Sequence, residues 1–120
     1  MSESAYRELC KVAGPVSRET FSDLLAFETE FRRWSTKINL ASPSTLPELW
    51  TRHILDSAQV PAIAPKALKW LDLGSGGGFP GAVIAIMMKE RAGAAVALLE
   101  SNRKKAASLQ SILGRLGAPA

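Results

Sequence analysis

Apolar residues at Phe21, Leu24, Leu25, Phe27, Phe31, Trp34 and Ile38 recur mostly at spacings of three and four. That period puts most of them on one face of an α-helix. Asp23, Glu30, Arg33 and Lys37 fall on the opposite face. The pattern predicts a helix capped by Ser17 and running to about Lys37, with its apolar stripe in the core. A shorter helix over residues 1–14 precedes it and stops at Gly14-Pro15, a helix-ending pair. Asn39 to Thr45 reads as a loop containing Pro43. Ser44 or Thr45 ahead of Pro47 marks another helix start, with proline in the first turn. A short helix is expected from there through Trp50, Ile54 and Leu55. Prolines at 61 and 65 make Val60 to Pro65 read as a connection.

The pattern changes after Pro65. Ala67 to Leu73 reads as a buried strand, and Gly74 to Gly81 holds five glycines and one proline in eight positions. An apolar helix from Ala82 to about Glu90 follows and is broken at Gly93. Ala94 to Glu100 reads as a second strand. Ser101 or Asn102 then caps a helix with apolar Ala106, Leu109, Ile112, Leu113 and Leu116, stopped by Gly117. The order is strand, glycine-rich turn, helix, strand, helix, which predicts an α/β fold with a parallel, right-handed βαβα unit. The expected organisation is a helical region over residues 1–64 and the first part of an α/β domain over residues 65–120. Two strands are few for a parallel sheet, whose faces both need cover. The chain therefore reads as the front of a longer protein. An open strand edge and a part-covered apolar helix then lead to an expectation of self-association. The alternative is a complete small domain.

Composition narrows the class. The chain has 120 residues, 47% hydrophobic and 22% charged, ordinary for a globular domain and too apolar for a disordered one. The longest apolar run, Ala82 to Met88, is seven residues; a membrane-spanning helix needs about 20, so no membrane partner is expected. The N-terminus is polar and acidic, unlike a secretory signal. One cysteine, Cys10, and one histidine, His53, leave no disulfide framework and no cysteine- or histidine-rich metal site. The default compartment is the reducing cytoplasm. Residues 1–60 carry seven Lys or Arg and eight Asp or Glu, a net of −1; residues 61–120 carry eight and three, a net of +5. A basic half suits an anionic partner such as nucleic acid, although surface lysines and arginines also serve solubility.

The candidate chemistry sits in Asp72-Leu73-Gly74-Ser75-Gly76-Gly77-Gly78-Phe79-Pro80-Gly81. Glycines at 74, 76 and 78 let the backbone turn off the strand and approach a ligand closely. Two cofactor classes use a strand, a glycine turn and a helix N-terminus. Dinucleotides need G-x-G-x-x-G, which residues 76–81 satisfy. S-adenosylmethionine sites pair a glycine loop with an acid at the strand end, which Asp72 supplies. Glu100 ends the second strand, 24 residues after Gly76, where an acid can accept hydrogen bonds from both ribose hydroxyls in either class. Arg103, Lys104 and Lys105 follow in the first turn of a helix, where cations oppose the helix dipole unless they meet an anion. Arg52 and His53 lie in a second polar cluster, Thr51 to Ser57, with no partner histidine for a metal.

Trp34, Lys37-Ile38-Asn39-Leu40, Leu49 to Ser57, Asp72 to Gly81 and Glu100 to Lys105 are together similar, in order and spacing, to the glucose-inhibited division protein B family. Its members are bacterial small-subunit ribosomal RNA guanine-N7 methyltransferases. The resemblance covers about residues 17–120, and Arg52-His53-Ile54-Leu55-Asp56-Ser57 is its most specific stretch. It implies a Rossmann-like methyltransferase sheet preceded by N-terminal helices. It also implies S-adenosylmethionine as the cofactor, and small-subunit ribosomal RNA or the ribosomal subunit as the partner. By that resemblance Asp72, Gly74, Ser75, Gly76, Gly78, Phe79 and Glu100 bind the cofactor. Asn39, Arg52, His53, Arg103 and Lys104 face the cofactor mouth or the RNA, and no catalytic residue or metal is implied. Ala41 departs from the threonine common after Asn-Leu, and the chain matches roughly the first three-fifths of such an enzyme, so activity of these 120 residues alone is not expected. Two rivals stay open: part of a nicotinamide-dependent oxidoreductase, and a non-catalytic RNA-binding module.

Overall fold

The computed structural model describes residues 3–38, 40, 44, 46–73 and 78–120. Helix α1 (Glu3–Ala13) is followed by α2 (Arg18–Ser35). The Ser17 hydroxyl caps α2, accepting from the Thr20 N–H at 3.1 Å. The periodic stripe is buried as patterned: Leu24, Phe27 and Phe31 are fully enclosed. The segment after Pro47 is not one α-helix. It is a 3-10 turn (Leu46–Glu48), a π-helical turn (Leu49–Ile54) and helix α3 (Leu55–Ala58). The connection expected at Val60 to Pro65 holds a further short helix, α4 (Val60–Ile63). Pro61 is compatible with it because it stands in the first turn, where its missing N–H would have had no helical partner.

Strand β1 (Lys69–Leu73) leads through the glycine-rich turn to α5 (Gly81–Met87), then β2 (Ala95–Leu99) and α6 (Arg103–Leu116). The strands pair in parallel, from Lys69 opposite Ala95 to Leu73 opposite Leu99. Both ends of α6 carry the expected signals. Asn102 accepts from the Lys105 N–H at 3.1 Å, and Gly117 ends the helix at φ 68°, a left-handed conformation open to glycine. α5 stops at Met87, short of Glu90. Lys89 and Glu90 turn instead toward α2, with Lys89 Nζ 3.0 Å from Asp23 and the Ser17 hydroxyl donating to Glu90 at 3.1 Å.

Residues Gly81 to Ile86 are all buried, which a two-sided packing explains. Ala82, Val83 and Ile86 join the core formed by α1, α2, α3 and α6. Ile84, Ala85 and Met88 pack on Val96 of the sheet. A helix apolar all round is one with neighbours on every side, so α5 is the layer between the N-terminal helices and the sheet. The far sheet face is open: Leu71, Leu73 and Leu99 are 61%, 70% and 54% exposed. Ion pairs add to the packing between α2 and the α/β unit. Glu30 meets Arg33 at 2.7 Å and Arg115 at 3.5 Å. The Arg33 hydrogen bond, helped by the charge of Arg115, holds the Glu30 carboxyl below the usual carboxylate range. A lowered carboxyl stabilises the fold above its ordinary pKa, and that contribution is lost as pH falls through the lowered value.

Helix α5 approaches β1 so closely that a Cβ on Gly81 would lie 2.6 Å from Asp72 Oδ2 and 3.0 Å from Leu98 Cγ. Gly81→Ala gains up to about 1 kcal/mol of helix propensity. Overpacking costs about 1–3 kcal/mol, and Gly81 is the first residue of α5, where propensity counts least. The variant is expected to unfold at lower denaturant than wild type; a higher midpoint would refute the close packing.

Candidate functional site

The two acids singled out in the sequence come to one edge of the sheet. Asp72 pairs in register with Leu98, and Glu100 lies one residue beyond the carboxyl end of β2. The carboxyl edge of parallel strands is where α/β folds bind ligands. Asp72 is half-buried, and its Oδ2 accepts the Gly81 backbone N–H at 3.0 Å. The carboxylate thus stands at the start of α5, a position favourable to negative charge. Asp72 also lines a cavity of about 190 Å³ with Val60, Trp70, Pro80 and Ile84. The larger cavity, about 470 Å³, lies between β2 and α6 and includes Glu100 but not Asp72. Among the described residues, neither of these two cavities is lined by both acids.

Glu100 is turned toward the entry of α6, with Oε2 accepting the Asn102 N–H at 2.9 Å. Arg103 and Lys104 are exposed in the first turn of that helix. Arg52 is exposed and pairs with Glu48 at 3.2 Å. His53 is half-buried, its ring 5.0 Å from that of Phe79 and inclined by 31°. Asn39, Gly74, Ser75 and Gly76 lie outside the described residues. Among the described residues no three His, Cys, Asp or Glu side chains group as a metal site, and no helix is long and apolar enough to cross a membrane.

The exit of the glycine-rich turn is tightly enclosed. Gly78 is buried at φ 105°, and a Cβ there would lie 2.7 Å from Leu109 Cδ2 and 2.8 Å from Ala82 Cβ. A left-handed conformation with no room for a side chain requires glycine. The next residue, Phe79, packs on Phe31 at 5.4 Å and edge-on to Phe27 at 5.9 Å. Phe27, Phe31 and Leu109 are site-shaping residues that the sequence showed only as core positions. The i, i+4 pair of phenylalanines was the one available signal, and nothing local tied it to Phe79.

This geometry has a definite charge preference. A carboxylate already sits at the first turn of α5, its Gly81 N–H is taken, and Pro80 has no N–H to offer. A pyrophosphate would meet a like charge and few donors there, whereas an ammonium group would meet a counter-charge.

Known proteins share this pattern over nearly the whole chain. The GidB family, described as rRNA small subunit methyltransferase G, matches residues 20–119. The ribosomal RNA small subunit methyltransferase G of Chelativorans sp. (strain BNC1) is 68% identical over 119 residues, covering 99% of this chain and 57% of that protein. The proteins of the same name from Brucella anthropi and Brucella canis are each 55% identical, over 119 and 115 residues, and are covered to 56% and 54% of their lengths. The chain thus spans a little over half the length of these relatives.

If Asp72 holds α5 through its acceptor oxygen, Asp72→Asn and Asp72→Ala must differ. A hydrogen bond to a charged group contributes about 1.5–3 kcal/mol. Asp72→Ala is expected to lose about that much in urea unfolding, and Asp72→Asn, which keeps an acceptor, clearly less. Equal losses would show that the hydrogen bond does not matter.

Proposed function

Since the chain belongs to the GidB family of rRNA small subunit methyltransferases, we propose that it carries the S-adenosylmethionine-binding front of an enzyme that methylates N7 of a guanine in small-subunit ribosomal RNA. The observation that carries the cofactor choice is the Asp72 carboxylate at the start of α5, 3.0 Å from the Gly81 N–H, with Pro80 beside it. It suits a cationic amino group and opposes a pyrophosphate, which weighs against the nicotinamide alternative. Gly78 and Gly81, where a Cβ would clash with Leu109, Ala82 and Asp72, hold the end of the turn tightly against the strand and helices beside that carboxylate.

In this reading residues 65–120 begin a Rossmann-like methyltransferase domain and residues 1–64 form its helical N-terminal region. Asp72 orients the amino group, and Gly74, Ser75, Gly76, Gly78 and Phe79 form the turn beside the methionine portion. Glu100 accepts hydrogen bonds from the ribose hydroxyls. Arg103 and Lys104, exposed beyond Glu100, are suited to RNA phosphates, which contribute sequence-independent affinity. Arg52 and Asn39 are further candidates for the RNA. The compartment that goes with this substrate is the cytoplasm.

The bound cofactor supplies an electrophilic methyl carbon. Guanine N7 has an exposed lone pair and no proton to lose, so the chain need provide no general base. Its own task is to hold the cofactor and align the base, a positional contribution to rate. This is why no residue is assigned a proton-transfer role.

Calorimetric titration of the full chain with S-adenosylmethionine, and with a nicotinamide dinucleotide as control, tests the reading. Binding of the first alone is expected, and Glu100→Gln is expected to weaken it about tenfold or more through loss of charge-assisted hydrogen bonds. Binding of the dinucleotide alone would favour the oxidoreductase reading. Binding of RNA with neither cofactor would favour a non-catalytic module.

A further inference from the structure

Phe79 is the point where the glycine-rich turn meets the N-terminal helices. Its ring is held on one side by Phe27 and Phe31 of α2, both fully buried, and on another by His53 of the π-helical turn. The residue before it, Gly78, is wedged against Leu109 of α6 and Ala82 of α5. The turn that separates β1 from α5 is therefore anchored at its far end by four elements. Its near end is fixed by the paired strands. α2 itself is tied to the end of α5 by Lys89, which bridges to Asp23 at 3.0 Å and Glu19 at 3.7 Å.

We infer that Phe27, Phe31 and His53 are positioning residues for the cofactor site, acting through Phe79 to fix the exit of the glycine-rich turn at Gly78 and Phe79. The helical N-terminal region is then part of that site although it supplies no ligand to it. The inference rests on the S-adenosylmethionine reading above. A turn whose exit is already held loses less conformational freedom when a ligand binds, so affinity rises without any added contact. The aromatic pairing is what holds Phe79: rings 5.0–5.4 Å apart attract one another beyond simple burial. In this scheme the His53 ring works by its flat face on Phe79, not by a polar contact with RNA or cofactor.

The test compares His53→Ala with His53→Phe in the full chain. S-adenosylmethionine affinity is read by calorimetry, thermal unfolding is read without cofactor, and affinity for small-subunit ribosomal RNA is read by a separate binding titration. Loss of one aromatic pairing corresponds to about a two- to tenfold change in affinity. His53→Ala is expected to weaken cofactor binding by that factor with only a small drop in melting temperature, and His53→Phe is expected to restore it. If His53→Phe binds the cofactor as weakly as His53→Ala, a polar contact is the real role and the inference falls. It falls too if both variants bind the cofactor like wild type and only the affinity for RNA drops. Should His53→Ala fail to fold, Phe31→Leu takes its place; it keeps apolar volume, removes the ring and is expected to weaken binding to a similar degree, and wild-type affinity there would overturn the inference. Absence of binding in the wild type would instead overturn the cofactor reading itself, a result distinguishable from all the others.

Discussion

The hydrogen bond from the Gly81 N–H to the Asp72 carboxylate ties the carboxyl end of β1 to the first turn of α5 at 3.0 Å. Much else follows from that contact. It is possible only because residue 81 has no side chain, so strand and helix can approach until backbone meets carboxylate. With its first turn held, α5 lies flat on the sheet and buries Ile84, Ala85 and Met88 against Val96. Its other face is left to receive the N-terminal helices through Ala82, Val83 and Ile86. The contact also brings Gly81 back to Asp72, at the carboxyl end of β1. A charge in a half-buried place thereby accepts a hydrogen bond from backbone through Oδ2.

The N-terminal helices and the α/β unit are not independent bodies. One cluster of buried side chains runs from Ala5 and Leu9 through Phe27 and Phe31 to Ile112 and Leu113. Polar ties follow the same seam, from Lys89 to Asp23 and from Arg115 to Glu30. The Lys89–Asp23 pair is partly buried, whereas Arg115 is exposed, and exposed pairs contribute little on their own. The seam passes under Phe79, so the packing that stabilises the fold is also the packing that shapes the turn.

The parts of this structure that were legible in the sequence are those governed by local rules. The stripe on α2, the caps Ser17 and Asn102 and the stop at Gly117 are all properties of a few neighbouring residues. The order of strand, turn, helix and strand followed from the glycine break and gave the edge positions of Asp72 and Glu100. What escaped depends on residues distant in sequence. Nothing near Phe27 or Phe31 announces a partner at position 79, and nothing near Asp72 says that the N–H it accepts belongs to Gly81. α4 escaped because two prolines look like a break unless one stands in a first turn. The π-helical turn escaped because the apolar spacing of Trp50, Ile54 and Leu55 fits an α-helix equally well.

That π-helical turn carries a consequence for how the chain can vary. The Leu55 N–H bonds to the Trp50 carbonyl, five residues back, so the segment holds one residue more than an α-helical turn would. Trp50 is anchored edge-on to Phe21 at one end, and the buried Ile54 and Leu55 anchor the other. His53 lies between these anchors and reaches Phe79 only because of the extra residue. Each helical residue turns the chain by about 100°. Removal of Thr51 or Arg52, both exposed, would keep the apolar anchors yet swing the imidazole by about that angle off the Phe79 ring. The length of this segment, and not only its residues, therefore sets where the imidazole stands.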